Sequence, residues 1–325
     1  MTQSEREMIR RVILEGTEFV LVCHLDPDGD AIGSLLGFGL SLEAAGKKVK
    51  FISPDGVPRN YTFLPGAARV KKELETMARG TVAIALDCAD LGRTGEVGAM
   101  LQDQPHFINV DHHPTNTNFG RWNIVDDSAA ATAELAFFLI QELGLPLTLD
   151  VGICLYTGIH TDTGGFRYEN TTARSHEVAM ALLNLGVKPA LITDYVYDQK
   201  PLTELRLLAG ALQRLQVSED GLLAWISLPR SVLTTCGTDD TSGLINYPRM
   251  VAGVEFAFLF KEDEDGTVRV SLRSRQVDVS RLAVQFGGGG HARAAGCTVP
   301  GSLTTVEEAV LTVARKMLQE AKGNA

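Results

Sequence analysis

The stretch Phe19-Val20-Leu21-Val22-Cys23-His24-Leu25-Asp26-Pro27-Asp28-Gly29-Asp30 passes without a break from an apolar run to one imidazole and three carboxylates at alternate positions. The apolar half reads as a buried strand. Residues 30–45 follow as a helix, with Ile32, Leu35, Leu36, Phe38, Gly39 and Leu42 on its packed side, and Lys48–Ile52 reads as a second strand. Together they make a βαβ unit. In a parallel sheet built from such units, ligands gather beyond the carboxyl ends of the strands, which is where His24, Asp26, Asp28 and Asp30 fall. Hard oxygen donors with one nitrogen donor suit a divalent cation.

The alternation continues with apolar strands at Thr81–Leu86 and Pro105–Val110 and helices at 130–142, 149–160 and 172–185. Helical texture then extends over Ile192–Leu215. Beyond it, Gly221–Leu228, Val254–Lys261 and Val268–Arg273 read as strands, and Leu303–Lys322 as a closing helix. The expected architecture is α/β: an N-terminal, mainly parallel sheet with flanking helices over residues 1–190, a helical connector over 191–215, and a smaller α+β domain over 216–325.

Composition excludes several classes. With 325 residues, 45% hydrophobic and 22% charged, the chain can bury the core of two domains. Cys23, Cys88, Cys154, Cys236 and Cys297 are odd in number and far apart, so neither a disulfide framework nor a zinc ribbon is indicated, and a reducing cytoplasm is the expected setting. No apolar run approaches the roughly 18 residues of a membrane span, and no membrane partner is expected. A formal charge of −10 and the lack of a basic extension argue against binding long nucleic acid. Aromatics are only 6% of the chain, too few for an extended base-stacking track.

Three further segments bring metal-ligand chemistry to the same edge. Ile84-Ala85-Leu86-Asp87 ends one strand in an aspartate, and Phe107-Ile108-Asn109-Val110-Asp111-His112-His113 ends another in an Asp-His-His triplet. The segment 156–165 contributes Asp162. A strand-end aspartate alone commonly starts a loop or caps a helix. Four such elements together favour an oxygen-rich Mn²⁺ or Mg²⁺ site, with carboxylates enough for two ions sharing one bridge.

The order H-x-D-P-D-x-D-A-I-G-S, L-D, D-H-H, T-D-T-G and G-G-G-G-H, spread over nearly the whole chain, resembles the DHH/DHHA1 phosphoesterase superfamily. The stretch from Thr157 to Tyr168 and the two-domain length are similar to the bacterial oligoribonuclease (nano-RNase)/3′-phosphoadenosine 5′-phosphate phosphatase group. That resemblance implies Mn²⁺-dependent hydrolysis of short RNA, of linear dinucleotides such as pApA and pGpG, and of 3′-phosphoadenosine 5′-phosphate, with Mg²⁺ or Co²⁺ as substitute metals and a homodimer as the expected assembly. It implies that His24, Asp28 and Asp87 bind one ion and that Asp30, Asp87, His112 and Asp162 bind the other, with Asp87 as the bridge. His113 faces the scissile phosphate in this reading; Asp111 orients an imidazole, and Asp26 is a supporting residue. A manganese inorganic pyrophosphatase and a non-catalytic nucleotide sensor are the alternatives.

The second signature is Phe286-Gly287-Gly288-Gly289-Gly290-His291-Ala292-Arg293. Consecutive glycines let backbone N–H groups approach an anion, and the alanine-rich sequence after them reads as a helix start whose amino end favours phosphate. In the context of the resemblance, Gly288, Gly289, Gly290 and His291 are substrate-binding candidates. Arg273 is the preferred bidentate phosphate contact, because its planar guanidinium suits that geometry. Arg249, Arg275 and Arg293 rank below it. Phe166 and Arg167 read equally well as base and phosphate contacts or as loop packing. His106, His160 and His176 are not assigned as ligands, and Trp122 and Trp225 read as structural.

Overall fold

The computed structural model describes residues 2–323. The chain divides into two compact units, 1–199 and 200–325. The boundary falls inside the expected 191–215 connector.

In the first unit, α1 (Gln3–Glu15) precedes β1 (Glu18–Val22), α2 (Gly29–Ala44) and β2 (Lys48–Ile52). After β3 (Val82–Leu86) come α3 (Gly98–Gln102), β4 (Phe107–Asp111) and β5 (Trp122–Val125). The unit ends with α4 (Thr132–Leu143), α5 (Leu149–Asp162), α6 (Ala173–Asn184), α7 (Pro189–Thr193) and a π-helical turn at Asp194–Asp198. All five strands are parallel, in the order β2-β1-β3-β4-β5. Successive strand side chains point to opposite faces, and both faces are covered. Phe19, Leu21, Ile84 and Leu86 join a core with α2, α4 and α5, while Val20, Val22, Ala83 and Ala85 join one with Val97 and Leu101. Strand β5 was not anticipated. It is an edge strand whose four residues are all half-buried, so it lacks the apolar run that marks β1, β3 and β4.

The second unit holds α8 (Leu202–Leu212), β6 (Leu215–Val217), β7 (Leu223–Leu228), α9 (Arg230–Cys236) and α10 (Asn246–Met250). It continues with β8 (Phe256–Glu262), β9 (Thr267–Ser274), α11 (Ser280–Gln285), β10 (Gly289–His291), β11 (Ala294–Pro300) and α12 (Leu303–Gly323). The sheet order is β10-β11-β9-β8-β7-β6, with β7 and β8 parallel and the other pairs antiparallel. Phe256, Phe258 and Phe260 pack on one face with Val306, Val310 and Ala314 of α12. On the other face Ala257 and Leu259 meet Leu207 and Ala211 of α8. That packing explains why α8 belongs to the second unit instead of acting as a connector.

Candidate active site

The site begins with a close helix contact. Gly29, Gly33 and Gly37 recur every four residues on α2 and face α5. A Cβ at Gly33 would stand 2.6 Å from the Cys154 carbonyl oxygen and 2.8 Å from Gly158 N, and one at Gly158 would stand 2.8 Å from Asp30 Oδ1. Only glycine permits that approach, which brings Asp30, in the first turn of α2, beside the carboxyl end of α5, where Asp162 lies. Strands β1, β3 and β4 are neighbours, and their carboxyl ends deliver His24, Asp87 and the triplet 111–113.

Three groups of donors form there, each with its ligand atoms within 4.8 Å of one another: His24, Asp28 and Asp87; Asp30, His112 and Asp162; and Asp87, His112 and His113. Asp87 divides its carboxylate between them. Its Oδ2 is 3.4 Å from His24 Nε2, and its Oδ1 is 3.6 Å from His112 Nε2. His112 Nε2 also lies 3.6 Å from Asp162 Oδ2 and 3.9 Å from Asp30 Oδ2. Asp87 adopts a left-handed backbone conformation (φ 61°), one that aspartate tolerates better than most side chains.

The surroundings hold these donors in one orientation. His112 Nδ1 donates to the Ala129 carbonyl (3.2 Å), which leaves Nε2 a lone pair. His24 Nδ1 has two neighbours, the Leu25 carbonyl at 2.8 Å and Arg93 Nη2 at 3.0 Å; donation to the carbonyl likewise frees Nε2 for a cation. Asp28 caps α2, accepting from the N–H groups of Asp30 and Ala31. Asp30 accepts from the N–H groups of Thr132 (2.6 Å) and Ala133 (2.9 Å) at the amino end of α4, and the Thr132 hydroxyl donates to Asp87 Oδ1 (2.8 Å). Asp111, fully buried, accepts from His113 Nδ1 (2.7 Å) and, on its other oxygen, from Asn116 Nδ2 (2.6 Å).

Charge balance tests whether this donor set fits a cation. Burial, and then the charges of Asp87, Asp162 and Asp28, push the Asp30 carboxyl well above the usual range. Burial pushes Asp162 up to about 7, with His112 opposing and Asp87 and Asp28 adding to it. Asp87 moves the other way: burial opposes ionisation, but His24, His112 and His113 outweigh it and hold the carboxyl low. His113 is raised to about 9, chiefly by its hydrogen bond to Asp111. Carboxylates crowded until three of them, Asp28, Asp30 and Asp162, resist ionisation, beside imidazoles with a lone pair turned inward, are a donor set for a divalent cation.

In the second unit the glycine stretch departs from expectation. It opens no helix; Gly289–His291 is an edge strand paired with β11, and Ala292 and Arg293 form the turn. The alanines after the turn pack into the sheet, Ala295 being buried, and this sheet pairing overrides their helix preference. A Cβ at Gly288 would stand 2.5 Å from Cys297 Cβ, whereas one at Gly289 would meet nothing within 4 Å. His291 is in register with Ala294, and Ala294 with Arg273, so His291 and Arg273 share a face of the sheet. Arg273 is half-buried, and burial together with the neighbouring Arg249 lowers its pKa; among the described residues neither arginine has a carboxylate partner. Arg275 and Arg293 are exposed.

Residues 18–159 match the DHH family, N-terminal domain, and residues 231–321 match the DHHA1 domain. The bifunctional oligoribonuclease and PAP phosphatase NrnA of Thermus thermophilus is 38% identical over 310 residues, which span 95% of this chain and 92% of the relative. The chain belongs to the DHH/DHHA1 family. The protein of the same name from Bacillus subtilis is 29% identical, over 90% of this chain and 92% of its own. A crystal structure of an exopolyphosphatase-related protein from Bacteroides fragilis superposes with a TM-score of 0.88 at 29% identity, covering 99% of this chain and 97% of that one. The two activities in the name that the Thermus and Bacillus relatives share, oligoribonuclease and PAP phosphatase, are both phosphoester hydrolyses.

In this DHH/DHHA1 protein the structure brings together His24, Asp28, Asp30, Asp87, His112, His113 and Asp162, with Asp111 behind His113. Asp26 lies outside the three donor groups, at an exposed left-handed position where its N–H donates to Asp55. Phe166 packs its ring on His176 (5.0 Å) and against the core, while Arg167 Nε donates to the Gly164 carbonyl (2.6 Å). His106 stacks on Trp122. Sequence reasoning missed Thr132, which binds two of the carboxylates, and Asn170, whose Nδ2 donates to the carbonyls of Ala130 (3.0 Å) and Asp162 (3.1 Å). It also missed Arg174, which pairs with Glu134 on α4 and with Asp126 in the loop that carries Ala129. The four-residue spacing of Gly29, Gly33 and Gly37 was a visible signal of the helix contact.

Proposed function

We propose that the protein is a two-metal, Mn²⁺-dependent phosphoesterase that hydrolyses short oligoribonucleotides and linear dinucleotides such as pApA and pGpG to mononucleotides, and 3′-phosphoadenosine 5′-phosphate to AMP. The observation that carries the two-ion reading is the divided carboxylate of Asp87, with one oxygen toward His24 and the other toward His112. His24, Asp28 and Asp87 would hold one ion, and Asp30, Asp87, His112 and Asp162 the other. When bound, such a pair supplies a hydroxide nucleophile near neutral pH and neutralises charge on the phosphoryl oxygens. His113, whose Nδ1 is held by Asp111, would donate a hydrogen bond to the phosphate or a proton to the leaving oxygen. In the DHHA1 unit, Arg273 and His291 share one sheet face and offer cationic and hydrogen-bonding contacts for a terminal phosphate.

The choice of short nucleotides is supported by the relatives named oligoribonuclease and PAP phosphatase and by the chain's net charge of −10. Five free thiols suit a cytoplasmic setting, and no helix among the described residues is long and apolar enough to cross a membrane. A panel of pApA, pGpG, RNA of two to five nucleotides, 3′-phosphoadenosine 5′-phosphate and pyrophosphate, each with chelator and with Mn²⁺, tests the reading by product chromatography. Mononucleotide release that requires the metal is expected. Rapid orthophosphate release from pyrophosphate without nucleotide cleavage would replace this reading with a pyrophosphatase.

A further inference from the structure

Beside the donor cluster, the first unit has a pocket of about 230 Å³ that shares Asp28 and Asp162 with the cluster but is otherwise differently made. Tyr61, Tyr168 and Tyr197 wall it, with Asn60 and Arg167. Three separate segments of the chain supply these residues, and local geometry fixes two of them. Gly164 and Phe166 are left-handed (φ 58° and 62°), so the chain folds back after α5 and lays the Tyr168 ring over Gly164, where any Cβ would stand. Tyr197 lies in the π-helical turn at Asp194–Asp198, a rare geometry frequent at functional sites. That turn is anchored by Tyr195, which stacks on Phe63 at 4.5 Å, and Tyr197 meets His160 edge-on at 5.7 Å. Even so, Tyr168 is 50% and Tyr197 38% exposed, which leaves ring surface uncovered next to the cluster.

Neither metal binding nor proton transfer at the donor cluster uses these rings. An inorganic anion would want cations in the pocket walls, but the pocket offers three rings, one arginine and an amide, with two carboxylates at its shared rim. Aromatic faces stack nucleobases with little regard to their identity, and an amide and a guanidinium can meet a base edge or a ribose. We propose that this pocket binds the nucleoside adjoining the scissile phosphate, its base stacked on Tyr168 or Tyr197. The DHH unit then contributes nucleoside recognition of its own. The inference rests on the phosphoesterase reading and deepens it.

The test uses the full-length protein with Mn²⁺, pApA, and two analogues of pApA in which one or the other adenine is replaced by hydrogen. One analogue is expected to lose about tenfold or more in kcat/KM, the scale of one lost stacking contact. Tyr197→Ala and Tyr168→Ala, checked for unchanged melting, are expected to shrink the discrimination between pApA and that analogue by a similar factor, mainly through KM, while Tyr197→Phe keeps it. The proposal is overturned if the alanine variants slow pApA and both analogues equally, or leave pApA unaffected. Should the wild type cleave none of these substrates, the phosphoesterase reading fails by itself. Saturation-transfer NMR with adenosine then decides the pocket: adenine signals lost in Tyr197→Ala sustain it, and signals independent of both tyrosines overturn it.

Discussion

The donor cluster of the DHH unit and the glycine hairpin of the DHHA1 unit both deal with charge, but they are built in opposite ways. In the cluster nearly every ligand is fixed by a second bond: His112 to Ala129, Asp30 to Thr132 and Ala133, Asp87 to Thr132, and His113 to Asp111. In the hairpin the backbone is fixed by strand pairing, while His291 and Arg293 are exposed, as is Arg275 just after the adjoining β9, and on β9 the Arg273 guanidinium bonds, among the described residues, only to its neighbour's carbonyl (2.9 Å). Rigid second bonds suit chemistry, where small displacements of a catalytic group are costly in rate. Open side chains on a fixed backbone suit capture of an anion. The cluster should therefore govern kcat and the hairpin KM.

The largest effect should come from Asp87→Asn, which removes charge from both donor groups while preserving shape. Turnover is expected to fall on the order of a thousandfold or more, about 4 kcal/mol in the barrier, and activity near the wild-type value would exclude the shared-carboxylate arrangement. Asp111→Asn should follow, with kcat down roughly 10–100-fold as for other residues that orient a catalytic group. Because Asp111 acts through His113, the loss should shrink for a nucleotide p-nitrophenyl ester, whose leaving group departs without a proton. An equal loss on both substrates would assign Asp111 to support of the loop alone.

The hairpin side of the contrast predicts a different signature. Arg273→Ala should raise KM for substrates with a terminal phosphate by about 10–100-fold, the value of a charge-assisted contact, and leave kcat within about threefold. A fall in kcat at constant KM would erase the proposed division of labour.

The same contrast explains what could be read from the sequence. Strands β1, β3 and β4 announce themselves as apolar runs, and their Asp and His residues fall where parallel sheets place ligands, so the ligand candidates were legible. The groups that hold them were not. Thr132 lies 102 residues from Asp30 and 45 from Asp87, and Asn170 reaches Ala130 across 40. Such bonds leave no local periodicity. In the hairpin the error ran the other way: the alanines after His291 carry helix propensity, but pairing with β9 makes them a strand.

The smallest effects separate the two roles that glycine can have within the hairpin itself. Gly288 is squeezed against Gly296 and Cys297, so Gly288→Ala must push β11 away or distort the turn after α11 and should cost about 1–3 kcal/mol in urea unfolding. Gly289 is exposed and has open space where a Cβ would go, so Gly289→Ala should stay within about 0.5 kcal/mol of wild type. If phosphate approaches the backbone there, the added methyl group should raise KM while stability holds. Equal destabilisation by both substitutions would make the glycine run a packing device throughout, and the capture role would then pass to Arg273 and His291 alone.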